Sequence, residues 1–173
     1  MSYFSIIKSV YRQTFWDGVK YAKSLGVKVG EGCCIYKVHW GSEPYLIEIG
    51  DHVQITNDVR FFTHGSSWVL REKYPDFDFF GKIKIGNNVY IGNCAIIMPG
   101  VTIGNNVIVG AGSIVTKSVP ENKVIAGNPA RILSDIEDFE KKIIPYNLKT
   151  KGLKFETKKK ILLNRRNDEF IVK

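Results

Sequence analysis

Three histidines, His39, His52 and His64, are the residues of this chain best suited to proton transfer, and their surroundings differ. Imidazole exchanges its proton near neutral pH, so a well-placed histidine can take the proton from an attacking hydroxyl group. His64 follows Thr63, has polar neighbours and stands immediately before a long stretch without repeats. His52 occupies the fourth position of IGDHVQ and His39 the fifth of IYKVHW, positions that read as structural or solvated. Asn57 and Asp58 lie one repeat before His64, where polar side chains also suit turn geometry.

These residues are set in a chain that counts in sixes. From Ile85 it reads IGNNVY, IGNCAI, IMPGVT, IGNNVI, VGAGSI and VTKSVP, each hexad opening on Ile or Val with a small or branched fifth residue. A strict period of six fits neither an α-helix nor an alternating strand and predicts a parallel β-helix. Three hexads make one triangular coil, so positions 18 apart stack, Asn93 beneath Ala111 among them. Such a helix is left-handed, against the usual crossover rule, as its brief connections allow.

An earlier block opens at Val29 and Ile35, is broken around Gly41–Tyr45, and resumes at Ile49 as IGDHVQ, ITNDVR, FFTHGS. Residues 67–84 hold no hexad. If they leave the prism as a loop, Ile85 stacks on Ile49, Ile91 on Ile55 and Ile97 on Phe61. A loop of this length without periodicity of its own is more often functional than incidental. The coils are expected to end near Pro120, with a turn at Gly127–Asn128–Pro129. Ser134–Asp135–Ile136–Glu137 reads as a capping box opening a helix to about Ile144.

The expected fold is therefore mainly β: a left-handed parallel β-helix with a flanking N-terminal helix and a C-terminal helical tail. Its divisions are an N-terminal helical segment 1–26, a β-helix domain 27–132 with a loop 65–84, and a helix and basic tail 133–173. Ile6, Ile7, Val10, Tyr11 and Phe15 recur at helical spacing, and no continuous apolar run marks a signal peptide or membrane span.

The 173 residues, 44% hydrophobic and 24% charged, suit a globular domain with a real core. Cys33, Cys34 and Cys94 are too few and too poorly spaced for a disulfide framework, which points to a reducing cytoplasm. The net charge is +8, and from Lys151 to Lys173 eight basic residues face three acids. No aromatic-basic motif accompanies them, which counts against nucleic acid. A solvated tail, or attraction to an anionic ligand or a membrane-bound anionic substrate, accounts for the charge, and the basic segments could make peripheral membrane contact.

The stretch GKIKIGNNVYIGNCAIIMPGVTIGNNVIVGAGSIVTKSVPENKVIAGNPARI resembles the C-terminal half of hexapeptide-repeat acetyltransferases. The nearest in pattern are the galactoside, maltose and capsule-sugar O-acetyltransferases, with xenobiotic acetyltransferases as cousins. The likeness covers roughly residues 49–132. It implies a homotrimer with active sites between neighbouring prisms, acetyl-CoA as donor, a saccharide hydroxyl as acceptor, and neither metal nor covalent acyl-enzyme.

A TH pair at this point carries the family's catalytic base, which assigns that role to His64. Where sugar acetyltransferases have an acceptor-side Asn this chain has Asp58, whose carboxylate would repel an oxyanion; the neighbouring Asn57 could substitute. The likeness places donor contacts at Asn93, Ala111, Thr116 and Lys117, and makes Lys117 and Arg131 the phosphate partners of CoA. Tyr90 stands where relatives have a thioester-walling Trp, and Trp68 could line the acceptor pocket. A zinc enzyme of the carbonic-anhydrase-like β-helix type would need three converging nitrogens, and the histidine spacings of 13 and 12 do not match its pattern. An antibiotic or amino-sugar acceptor, or a non-enzymatic trimeric scaffold, are the other readings.

Overall fold

The hexads lay down short strands because each opener needs burial and each corner needs a tight reversal. In a computed structural model describing residues 16–172, the strands β1 (Lys28–Val29), β2 (Cys34–Ile35) and β3 (Val38–His39) form the first coil. The next coils are β4 (Ile47–Ile49), β5 (Gln54–Ile55), β6 (Val59–Phe61) and β7 (Ile83–Ile85), β8 (Tyr90–Ile91), β9 (Ile96–Ile97). A fourth coil holds β10 (Thr102–Ile103), β11 (Ile108–Val109) and β12 (Ile114–Val115). They stack as three parallel sheets, β1-β4-β7-β10, β2-β5-β8-β11 and β3-β6-β9-β12, which are faces A, B and C of a left-handed prism.

The register is the one that the repeat predicts: Ile85 pairs with Ile49, Ile91 with Ile55 and Ile97 with Phe61. Ile91, Ile97 and Val109 are fully buried, and each such side chain is worth about 1.5–3 kcal/mol over its exposed state. Trp40 and Phe61 cap this interior, stacked with centroids 5.2 Å apart.

The corners have a division of labour. The fourth hexad position takes positive φ, at His52, Asp58, Asn88, Cys94, Asn106 and Gly112. The third position supplies a side-chain oxygen to the coil before it. Asp51 accepts from Glu31 N (2.7 Å), Asn87 from Asp51 N (2.8 Å) and Asn105 from Asn87 N (2.7 Å). These bonds satisfy corner amides that no strand can reach.

Three details depart from the sequence reading. The hexads do open at Ile85, but the strand starts two residues earlier, because β7 has three residues and Ile83 is buried against Ile47. The stacking continues past Pro120, since β13 (Lys123–Gly127) lies parallel on β11 and pairs antiparallel with β14 (Ala130–Asp135). Ser134 is therefore a strand residue paired with Val124 and not a helix cap; helix α2 (Ile136–Ile143) starts directly after the strand.

A helix α1 (Gly18–Ser24), capped by Asp17 through Lys20 N, precedes the first coil. The apolar stripe expected over residues 6–15 lies outside the described residues. The chain divides into a compact unit ending at Ile136 and another from Glu137 to Lys173, which holds helix α3 (Phe155–Leu163). Among the described residues no helix is long and apolar enough to cross a membrane.

Candidate active site

Both breaks in the repeat fall at the same corner of consecutive coils. β3 and β6 are neighbours on face C, and each is followed by irregular chain before its coil continues on face A. The first break, residues 40–46, carries Glu43 beside a 3-10 turn at Pro44–Leu46. The second, residues 62–82, begins with Phe62, Thr63 and His64. Stacking the two coils puts the breaks together, and Glu43 meets His64.

The His64 Nδ1 lies 2.7 Å from Glu43 Oε2, and the Thr63 hydroxyl donates to the same oxygen at 2.6 Å. The bond from Thr63, with His64 adding to it, holds the Glu43 carboxyl below its usual range, so Glu43 is a carboxylate and can only accept. Nδ1 must then carry a proton, which in the neutral ring leaves the lone pair on Nε2. This is how a histidine is prepared to act as a base. Glu43 is 16% exposed at its side chain and His64 40%, so the anchor is sheltered while the ring stays accessible. Phe80 packs tilted against the imidazole at 5.6 Å, and Thr63 O accepts from Gly81 N at 2.7 Å, bringing the loop's far end back to the histidine.

The other histidines do not join this group. His39 faces Asp58 across 3.8 Å, and His52 is a corner residue with φ of 55°. Among the described residues no three His, Cys, Asp or Glu side chains are placed to hold a metal ion.

Asn57, Asp58, Asn93 and Ala111 occupy a different corner, between faces B and C. The Asn93 Oδ1 accepts from Asn57 N (3.0 Å) and Asn57 Oδ1 from Lys37 N (3.4 Å). Their carbonyl oxygens therefore tie coils together, and only their amide NH2 groups are left to meet a ligand. Ala111 has no side-chain oxygen, so this ladder stops there. The backbone N–H groups of Asn93 and Ala111, stacked 18 residues apart, then have no acceptor among the described residues. A flat alanine flanked by open amides suits a ligand lying along the corner. Tyr90 stands just ahead of it on face B, between Gln54 and Ile108.

Lys117 and Arg131 line one cleft of about 440 Å³, with Val115 and Ile125 at its base. Thr116 follows β12 beside it. Trp68 lies in the loop, 81% exposed and away from the prism interior. One chain thus brings together Lys117 with Arg131, and Glu43 with Thr63 and His64. It does not bring His64 to the Asn57–Asn93–Ala111 corner, which lies at the other edge of face C.

Glu43 is the residue that sequence reasoning missed. The only sign of it was an acid inside the shorter break, at the corner that the longer break also uses.

The sequence pattern described as "Bacterial transferase hexapeptide (six repeats)" matches residues 82–117. Protein CapG of Staphylococcus aureus is 54% identical over 147 residues, covering 83% of this chain and 86% of that protein. The galactoside O-acetyltransferase of Lactococcus lactis is 31% identical over 150 residues, 73% of this chain and 72% of that one. A solved galactoside acetyltransferase in complex with coenzyme A superposes with a TM-score of 0.54 at 31% identity, covering 78% and 80% of the two chains.

Proposed function

This chain belongs to the hexapeptide-repeat acetyltransferases, and from its site we propose that it moves the acetyl group of acetyl-CoA onto a saccharide hydroxyl, with His64 as general base. The observation that carries the reading is the Glu43–His64 pair at 2.7 Å, which fixes the tautomer a base requires.

In this reading the acceptor hydroxyl attacks the thioester carbonyl while Nε2 of His64 takes its proton. Glu43 holds the ring and stabilises the imidazolium that forms. The tetrahedral intermediate then expels the CoA sulfur as the C–S bond breaks, and the proton on His64 passes to that sulfur. No acyl-enzyme and no metal enter the sequence. The developing oxyanion needs a donor, and an amide N–H at the Asn57–Asn93 corner serves better than the Asp58 carboxylate.

The donor would lie along the Asn93–Ala111 corner, its pantetheine carbonyls meeting the open amides and its phosphates reaching Lys117 and Arg131. Because His64 and that corner lie at opposite edges of face C, we place the site between two prisms of a homotrimer, one copy giving the base and the next the donor corner. Similarity to galactoside acetyltransferases supports a sugar acceptor over an antibiotic, and we carry the reading on to a sugar of a surface polysaccharide or its lipid- or nucleotide-linked precursor. The exposed thiols Cys34 and Cys94 support a reducing cytoplasm.

The test is transfer of radiolabelled acetyl from acetyl-CoA to mono-, oligo- and nucleotide-linked sugars, with chloramphenicol and amino sugars alongside. Ester formation on a sugar hydroxyl is expected. Transfer only to an amine or to chloramphenicol would replace the sugar assignment, and no transfer together with no stabilisation by CoA would remove the enzyme reading.

A further inference from the structure

We propose that Asp78 is a positioning residue that latches the insertion loop beside His64 and so shapes the acceptor side of the site, an inference that rests on the acetyltransferase reading above. The loop begins at His64 and returns to it, since Phe80 bridges to His64 and Gly81 N donates to Thr63 O. Between these ends the side chain that makes the most polar contacts is Asp78, with the Arg71 Nε to Phe77 O bond (3.3 Å) and the Tyr74–Phe77–Phe79 ring contacts beside it. Asp78 Oδ1 accepts from the Ser67 hydroxyl at 2.9 Å and from Phe79 N at 3.0 Å, and Oδ2 lies 3.8 Å from the Arg71 guanidinium. Ser67, only 5% exposed, starts the 3-10 turn Ser67–Leu70 that presents Trp68. Asp78 therefore ties the turn bearing Trp68 to the segment that seats Phe80 on the imidazole. The bond from Ser67 is the main reason its carboxyl sits below the usual range, so the latch is charged at working pH.

Glu43 and Thr63 hold His64 to the prism without help from Asp78. Asp78 reaches Glu43 and His64 only through its charge and through Phe80, so the latch acts chiefly on the acceptor wall and leaves the donor cleft alone, and its loss separates those two sides. Its removal should fall on the acceptor KM, because a wall that holds the substrate equally in ground and transition state sets KM and leaves kcat unchanged.

The experiment compares wild type with Asp78→Ala, Asp78→Asn and Ser67→Ala, reading kcat, the KM for the best saccharide, the KM for acetyl-CoA, and tryptic cleavage after Arg71 and Lys73. Asp78→Ala is expected to raise the saccharide KM about tenfold or more, with the acetyl-CoA KM within about twofold of wild type and faster loop cleavage. Asp78→Asn keeps an oxygen for Ser67 and Phe79 N and should recover most of both effects. A saccharide KM that does not move, an equal rise in both KM values, or unchanged cleavage overturns the latch. Should Asp78→Ala fail to fold, Ser67→Ala decides in the same way. If wild type acetylates no saccharide, the function reading fails, while the cleavage rates still decide whether Asp78 holds the loop.

Discussion

Glu43 and His64 are 21 residues apart, on consecutive coils, and meet at 2.7 Å because both lie where the repeat is interrupted at one corner of the prism. The first coil is longer than the regular 18 residues, with Val29 paired to Ile49, and the extra chain is what brings Glu43 out of the strand pattern. The longer interruption on the next coil supplies Thr63 and His64. A regular β-helix would have put inward-facing aliphatic residues and a corner amide at this place.

Replacing Glu43 with Gln keeps the shape and removes the charge. The imidazole then loses its fixed tautomer and the anion that stabilises its protonated form. kcat should fall about tenfold or more while the KM for acetyl-CoA stays near wild type. Steady-state kinetics check this, and an unchanged kcat would remove Glu43 from the site.

Acid should weaken the fold through the same group. The Glu43 carboxyl is lowered chiefly by Thr63 and secondarily by His64, and Asp78 is lowered chiefly by Ser67. A lowered carboxyl contributes stability that is fully present above the ordinary range, near about pH 4.3 for Glu and 3.9 for Asp. That stability is lost as pH falls through the lowered values. Tm measured against pH should therefore decline below that range, and Glu43→Gln should flatten the decline. Identical acid profiles for the two proteins would contradict the pairing.

Lys117 and Arg131 should act on the phosphates of the donor and on nothing else. Lys117→Ala combined with Arg131→Ala should raise the KM for acetyl-CoA about tenfold or more, and high salt should mimic part of the loss. The same variant should use acetyl-pantetheine, which lacks the nucleotide, as well as wild type does. An equal loss with both donors would move the phosphate site elsewhere.

Gly92 has a structural reason to be glycine. A Cβ there would stand 2.5 Å from Ala111 N and 2.9 Å from its Cα, and backbone atoms cannot step aside. Gly92→Ala should cost about 1–3 kcal/mol, seen as a Tm lower by several degrees. Gly65→Ala is the control, because nothing lies within 4 Å of its added Cβ. Equal stability of the two variants would show that the coils can slide apart at that corner.

The prism was legible in the sequence because every coil repeats the same local demand: an inward Ile or Val, a polar corner, a residue tolerant of positive φ. The strand pairs of Ile85, Ile91 and Ile97 followed from counting alone. Cooperation between breaks was not legible. Glu43 reads as an exposed acid in an irregular stretch, and only stacking reveals its contact with Thr63 and His64. Asn57 and Asn93 were read as substrate contacts, and the coil-to-coil bonds of their carbonyl oxygens show only in the folded chain. Ser134 carried a helix-capping pattern, but pairing with Val124 satisfied its backbone first. The loop's start at His64 could be read, whereas its latch at Asp78 depends on a contact eleven residues back to Ser67.

The most direct measurement is the rate of acetyl transfer by His64→Ala alongside its affinity for CoA measured by calorimetry. The account predicts a kcat lower by about 100- to 10,000-fold with CoA affinity unchanged, because the base is lost and the donor corner is intact. Transfer at the wild-type rate by this variant would contradict it.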